Sequence, residues 1–204
     1  MGTKKVQNPT KAMVTSRSAG RLRLKGNINP DTMIEGNTRT SIITDAAGNA
    51  AGWSKLDMTA PGVISTVGGL YQQFLFKPGT AFNYVPSVGL TSSGNVLVGW
   101  LDNPEIMLSY QNGNLAQRTT IVQSLANTKI YPIWQQFSYP LTAAPRLKKF
   151  DVNGVITASV DEYQRSSQGW FVFAVTNAPA STQVSFSYTH NKVQLWNLTS
   201  VYGT

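Results

Sequence analysis

The residues able to do chemistry are few. Histidine occurs once, at His190, and cysteine is absent. The lack of cysteine removes disulfides, thiolate nucleophiles and every zinc site built on sulfur. One imidazole also falls short of the multi-histidine sets of metal-binding jelly-roll enzymes. A Ser-His-acid triad would have to use His190, which stands between Thr189 and Asn191 in an alternating stretch, and no Gly-x-Ser-x-Gly elbow accompanies it. His190 therefore reads as a strand residue satisfied locally or placed at an interface. Asp161 and Glu162 adjoin, but neighbours on a strand point to opposite faces and a loop pair is commonly solvated. Gly68-Gly69 lacks the Lys-Ser/Thr that a phosphate-cradling loop requires. No enzymatic activity and no obligatory cofactor are expected.

Charge is the stronger signal. The formal net charge is +8, and through Lys25 there are seven basic residues (Lys4, Lys5, Lys11, Arg17, Arg21, Arg23 and Lys25) with no acid. The remainder carries ten basic and nine acidic residues, so the excess belongs to the N-terminal segment. Residues 1–20 have few apolar positions, no clean period, and Gly2, Pro9 and Gly20. Such a segment cannot bury enough surface to fold alone. A basic arm on a nearly neutral body suits phosphate binding without sequence reading. These seven residues are thus the candidate nucleic-acid contacts, although a solvated tail or a targeting segment for the nucleus or a membrane surface would share the composition. No apolar run approaches the roughly 18 residues of a membrane span. The basic N-terminus has no following apolar stretch, so it does not read as a secretory signal. The chain is expected to be soluble and intracellular at synthesis, which makes the sequon at Asn197 incidental.

Behind these residues stands one domain. A length of 204 residues suits a single core of ordinary size. Charged residues make up 13%, about half the usual quarter. That scarcity suits a surface covered by other copies, and a neutral monomeric β-domain would show it too. The dominant period is two. Thr38–Thr44, Tyr71–Phe76, Phe82–Val85, Asn95–Leu101, Ile130–Tyr139, Gly169–Thr176 and Val184–Trp196 all read as strands. Pro132 argues for an edge or a bulge. Arg21–Lys25 alternates basic and apolar side chains, and Val184–Trp196 is long enough for two pairing segments or one bent strand. Pro104–Tyr110 and Asn114–Thr128 read as helices, the second with Leu115, Ile121, Val122 and Leu125 on a core-facing stripe. Strands with one helical insertion make an all-β sandwich or barrel, organised as an arm (residues 1–25) and a body (residues 26–204).

Phe82-Asn-Tyr-Val-Pro-Ser-Val-Gly-Leu-Thr-Ser-Ser-Gly-Asn-Val-Leu-Val-Gly-Trp-Leu-Asp-Asn-Pro104 resembles the shell domain of tombusvirus- and sobemovirus-like coat proteins. In those families an aromatic strand runs into Tyr-Val-Pro, a Thr/Ser-rich turn, and an apolar strand ending in Asp-x-Asp-Pro. Trp134–Tyr139, Arg146–Phe150, Gly169–Thr176 and Val184–Leu195 follow in the families' order, so the resemblance covers roughly residues 20–200. It implies an eight-stranded antiparallel jelly-roll β-sandwich with short helical insertions and a basic N-terminal arm. It also implies that the chain's partners are copies of itself, closing into an icosahedral shell, and a single-stranded genome. RNA is the expected genome, with circular single-stranded DNA left open by similar capsid domains. The expected location is the virion, assembled in the host cytoplasm.

The sequence ends soon after the closing strand, so a protruding domain is not expected, and an arm shorter than is common in these families leaves a smaller shell open. Relatives often hold interfacial calcium near the strand equivalent to Val96–Asp102. Here the Asp-Pro position reads Asn103-Pro104 and the next expected carboxylate is Ile106, so Asp102 and Glu105 remain as the candidate ligands. Arg146, Lys148 and Lys149 would extend a basic inner surface, serve lattice contacts, or be ordinary solvated charge. The alternative function is a lectin-like module using Trp53, Trp100, Trp134, Trp170 and Trp196 against sugar, although most of these lie in apolar strands.

Overall fold

The computed structural model describes residues 32–57, 67, 70–141, 148–149, 160, 164 and 166–198. Among the described residues ten strands form two sheets. The first holds β1 (Thr32–Ile43), β3 (Tyr71–Phe76), β4 (Ala81–Tyr84), β7 (Phe137–Pro140), β8 (Lys148–Lys149) and β10 (Gln183–Leu198). The second runs β2 (Ala50–Lys55), β9 (Trp170–Thr176), β5 (Asn95–Leu101) and β6 (Lys129–Pro132). All pairing is antiparallel.

The strand count exceeds the eight expected, and register supplies the reason. β3 and β4 lie end to end along one side of β10, with Phe76 opposite Val193 and Ala81 opposite Thr189. Five steps on one side face four on the other, which is the mark of a bulge. β7 and β8 follow the same line against β4 and β3. Each sheet is therefore four lanes wide, and the architecture is the expected eight-lane jelly roll with two lanes interrupted.

The facing sides of the sheets bury Phe74, Phe76, Phe82, Tyr84, Phe186 and Tyr188 against Val96, Val98, Trp100, Phe171, Phe173 and Val175. Phe82 stacks on Phe171, Phe173 and Phe186 at centroid distances of 5.1, 5.3 and 5.0 Å. The second sheet is also covered on its outer side, by α1 (Pro104–Asn112) and α2 (Leu115–Ser124). Met107, Tyr110 and Val122 pack there on Leu97, Leu101, Trp170, Val172 and Ala174, with Ile121 and Leu125 beside them. Burial on both faces is why β5 and β9 are apolar at nearly every position.

Two elements differ from the sequence reading. β2 carries little strand signal because Ala50, Ala51 and Gly52 are small for packing reasons: a Cβ on Gly52 would lie 2.9 Å from the Phe173 ring. Ile130–Tyr139 is not one strand. Pro132 ends β6 on the sheet edge, and after a turn the chain crosses to the other sheet as β7.

Candidate nucleic-acid, metal and contact sites

The seven basic residues Lys4 to Lys25, the segment Arg21–Lys25, Arg146, Asp161 and Glu162 lie outside the described residues. The first described residue is Thr32, at the start of β1, which is an outer lane of the first sheet. Of the body's cations, several serve the fold. Lys55 pairs with buried Asp57 at 2.5 Å. Arg118 donates to the carbonyls of Tyr110 and Gln111 (3.0 and 2.6 Å) at the C-terminal end of α1, and stands 5.3 Å over the Trp53 ring. Lys148 donates to the Gln164 carbonyl at 2.5 Å, while Lys149 takes the register position opposite Gln73.

Asp102 and Glu105 are both exposed at the junction of β5 and α1. Between them Asn103 caps the helix, its side-chain oxygen accepting from the amides of Glu105 (2.9 Å) and Ile106 (3.1 Å), with Pro104 opening the first turn. Glu105 in that turn complements the helix dipole. Calcium takes about six to eight oxygen ligands. Asn103 spends its oxygen on the cap, Ile106 offers none, and no group of three His, Cys, Asp or Glu able to hold a metal occurs among the described residues. The donor set present does not fit a calcium site.

His190 is buried, at 1% exposure, on the inner side of β10. Its Nε2 lies 3.1 Å from Thr38 Oγ1, and its ring lies 4.5 Å from Tyr188 and 5.3 Å from Phe76. Nδ1 has no hydrogen-bond partner among the described residues. Burial pushes the imidazole pKa down to about 4. This is a core strand residue bonded through Nε2 to Thr38 of the neighbouring strand, and it is too enclosed to meet a substrate. The tryptophans follow a similar course: Trp100 and Trp170 are core, Trp53 lies beneath Arg118, and Trp134 is exposed at 38%. Two of the five tryptophans that a sugar-binding face could use are thus spent inside, and Trp53 and Trp196 are half-buried.

The sequence reading missed a surface that only the topology assembles. Residues 43–49, 85–94, 133–136 and 177–182 meet at one end of the sandwich. Thr44 N donates to Thr182 O, Ile133 N to Gly94 O, Ala178 N to Gly48 O, and Ser93 Oγ to Asn177 O. The approach is close enough that a Cβ on Gly48, where φ is +76°, would lie 1.8 Å from Ala178 O. Asp45 is the one charged residue in these four segments, and its carboxylate accepts from the amides of Ala47 and Asn49. Leu90, Ile43 and Val85 are exposed here at 78%, 66% and 61%. This end is nearly uncharged, exposes a few aliphatic side chains among Ser, Thr, Asn and Gln, and is tied together by hydrogen bonds.

No protein-family model matches the sequence, and no curated protein matches it. Solved structures match by fold. A chain of Maize Chlorotic Mottle Virus aligns with a TM-score of 0.67 at 10% identity, covering 85% of this chain and 98% of that one. A chain of the semi-empty virus-like particle of giant freshwater prawn Macrobrachium rosenbergii nodavirus aligns at 0.61 and 13% identity, covering 100% and 97%. One of Cocksfoot mottle virus aligns at 0.59 and 13% identity, covering 97% and 98%. The chain spans 55% of the Melon necrotic spot virus chain and 59% of the Cucumber Leaf Spot Virus chain that it matches. Its fold is that of the jelly-roll shell domain in tombusvirus, sobemovirus and nodavirus-like capsid structures.

Proposed function

We propose that the chain is a virus coat protein that self-assembles into an icosahedral shell and packages a single-stranded genome, RNA, through the basic arm of residues 1–25. The observation that carries this reading is the shared shell-domain fold over 85–100% of the chain in three virus structures. Two features support it. The net charge of +8 is concentrated before residue 26. Neutralising phosphates there releases counterions, so binding is strong at low salt and blind to sequence. The nearly uncharged loop end, with Leu90, Ile43 and Val85 exposed, suits an association site. In this reading the arms gather subunits on the genome while loops and sheet edges make the lateral contacts. The work is structural, with no catalysis. The product is the virion, put together in the host cytoplasm.

The test is negative-stain microscopy and sedimentation of the expressed full chain, with nuclease-protected nucleic acid assayed in the same fractions. Uniform particles that protect nucleic acid are expected. Deleting residues 2–25 should abolish protection while the far-ultraviolet dichroism of the body is kept. A chain that stays monomeric across salt, pH and added RNA would overturn the proposal, and normal packaging by the truncated chain would remove the arm's role.

A further inference from the structure

On the outer face of the first sheet β1 and β10 line a groove of about 550 Å³, walled by Arg39, Thr40, Ser41, Val85, Ser185 and Ser187. Register explains its chemistry. Arg39 stands opposite Ser187, Ser41 opposite Ser185, and Asn37 opposite Thr189. Directly paired residues share a face, so one guanidinium sits inside a field of hydroxyl and amide groups. Asn83 extends that field from β4 through a 3.3 Å hydrogen bond to Thr189. Arg39 is exposed, and no carboxylate lies within ion-pair distance of it among the described residues. The nearest acid along the strand, Glu35, is four residues back, roughly 13 Å at the usual rise.

We infer that this groove is a second contact for the phosphodiester backbone of a single-stranded nucleic acid, with Arg39 pairing to one phosphate and the Ser and Thr hydroxyls donating to its neighbours. The inference rests on the proposed coat-protein function and deepens it. Three observations join here. An unpaired guanidinium is pre-shaped for a phosphate. Its surroundings are hydroxyls and amides, the other side chains that bind phosphate and sugar without reading bases. The third is continuity: β1 is the strand into which the basic segment leads, with Lys25 only seven residues before Thr32. A strand of genome held by the arm is thereby delivered to the lane that carries Arg39. The exposed apolar side chain of the wall, Val85, suits the sugar edge.

The test uses the full chain, below its assembly concentration, with a fluorescent mixed-sequence single-stranded RNA of about 20 nucleotides and the DNA of the same sequence. Affinity is measured by anisotropy over a salt series for wild type, Arg39→Gln, Arg39→Lys and Lys129→Gln, the last removing an equal charge from the edge of the other sheet. Arg39→Gln should reduce the slope of log K against log salt by about 0.7, the value for one phosphate on a single strand. It should weaken binding roughly fivefold on both RNA and DNA. Arg39→Lys should restore the slope, and Lys129→Gln should match wild type. If Arg39→Gln and Lys129→Gln both keep the wild-type slope, the groove is not a phosphate contact, although the arm's role survives. Loss of assembly with unchanged RNA affinity in Arg39→Gln would overturn the inference in favour of an acidic partner from another copy. If wild type binds neither probe and forms no particles, the coat-protein reading itself fails.

Discussion

Lowering the pH should weaken the body through His190, by an amount that follows from its burial. An ordinary imidazole titrates near 6.5, and in the folded chain desolvation lowers this to about 4. Below pH 6.5 the unfolded chain takes up a proton that the folded chain refuses. Stability therefore falls as pH drops from about 6.5 to about 4, and this contribution levels off below the folded value. A gap of about 2.5 units is worth about 3 kcal/mol. That is a large part of a domain's typical margin of about 5–15 kcal/mol. The groups around the ring cannot relieve the cost: Thr38 supplies a hydroxyl, Tyr188 a neutral phenol and Phe76 a hydrocarbon edge. Beyond Tyr188 lies Asp57, paired with Lys55; burial, and to a smaller extent Asp57, holds the Tyr188 phenol above its usual range. Urea unfolding of unassembled wild type and His190→Gln, from pH 7 to pH 4, isolates the effect, because the variant keeps a polar group for Thr38 and cannot titrate. The stability difference, wild type minus variant, should fall by about 3 kcal/mol over that range. A difference that stays constant would show that the ring is hydrated or paired in solution. A difference that grows at acid pH would mean that the imidazolium is stabilised in the folded chain.

Three further outcomes follow from the same geometry. Leu90→Lys places a charge on the uncharged loop end; particles should be lost by microscopy while the unassembled chain keeps its melting temperature. Gln168 bridges the sheets by accepting from the Phe76 amide (3.1 Å) and donating to its carbonyl (3.3 Å) in the interior. Gln168→Ala should therefore cost about 2–4 kcal/mol in urea unfolding, because both backbone groups are left buried without partners. Chelation should leave particle melting unchanged, since Asp102 and Glu105 lack the further oxygens that calcium needs; a drop in melting temperature restored by added calcium would show donors supplied by a neighbouring copy.

What could be read from the chain depended on where each signal is stored. β5 and β9 were legible because burial on two faces writes an unbroken apolar run, Val96 to Leu101 and Trp170 to Val175, into adjacent positions. β2 was not, since its small residues answer to Phe173 and to Tyr110, whose hydroxyl donates to Gly52 O at 2.8 Å, and both partners are remote in sequence. Pro78-Gly79 between β3 and β4 reads as a turn, and nothing local separates a hairpin from a bulge in one lane. That distinction lies in the pairing with Val193 and Thr189, more than a hundred residues away. The Asn103-Pro104 start of α1 was the opposite case, a cap whose partners are its immediate neighbours.

The sites divide in the same way. A charged fraction of 13% announces that charge is scarce, but scarcity is a property of the whole chain until the strands are paired. Jelly-roll connectivity then carries four low-charge segments, separated by up to about forty residues each, to a single end around Leu90. The face of Arg39 is likewise set by its register with Ser187, not by the Thr-rich stretch that surrounds it. A shift of one residue in that pairing would turn the guanidinium toward Phe186 and the core. The groove therefore depends on the β1–β10 alignment that leaves Arg39 outside, an alignment in which Thr38 and His190 meet inside the sandwich.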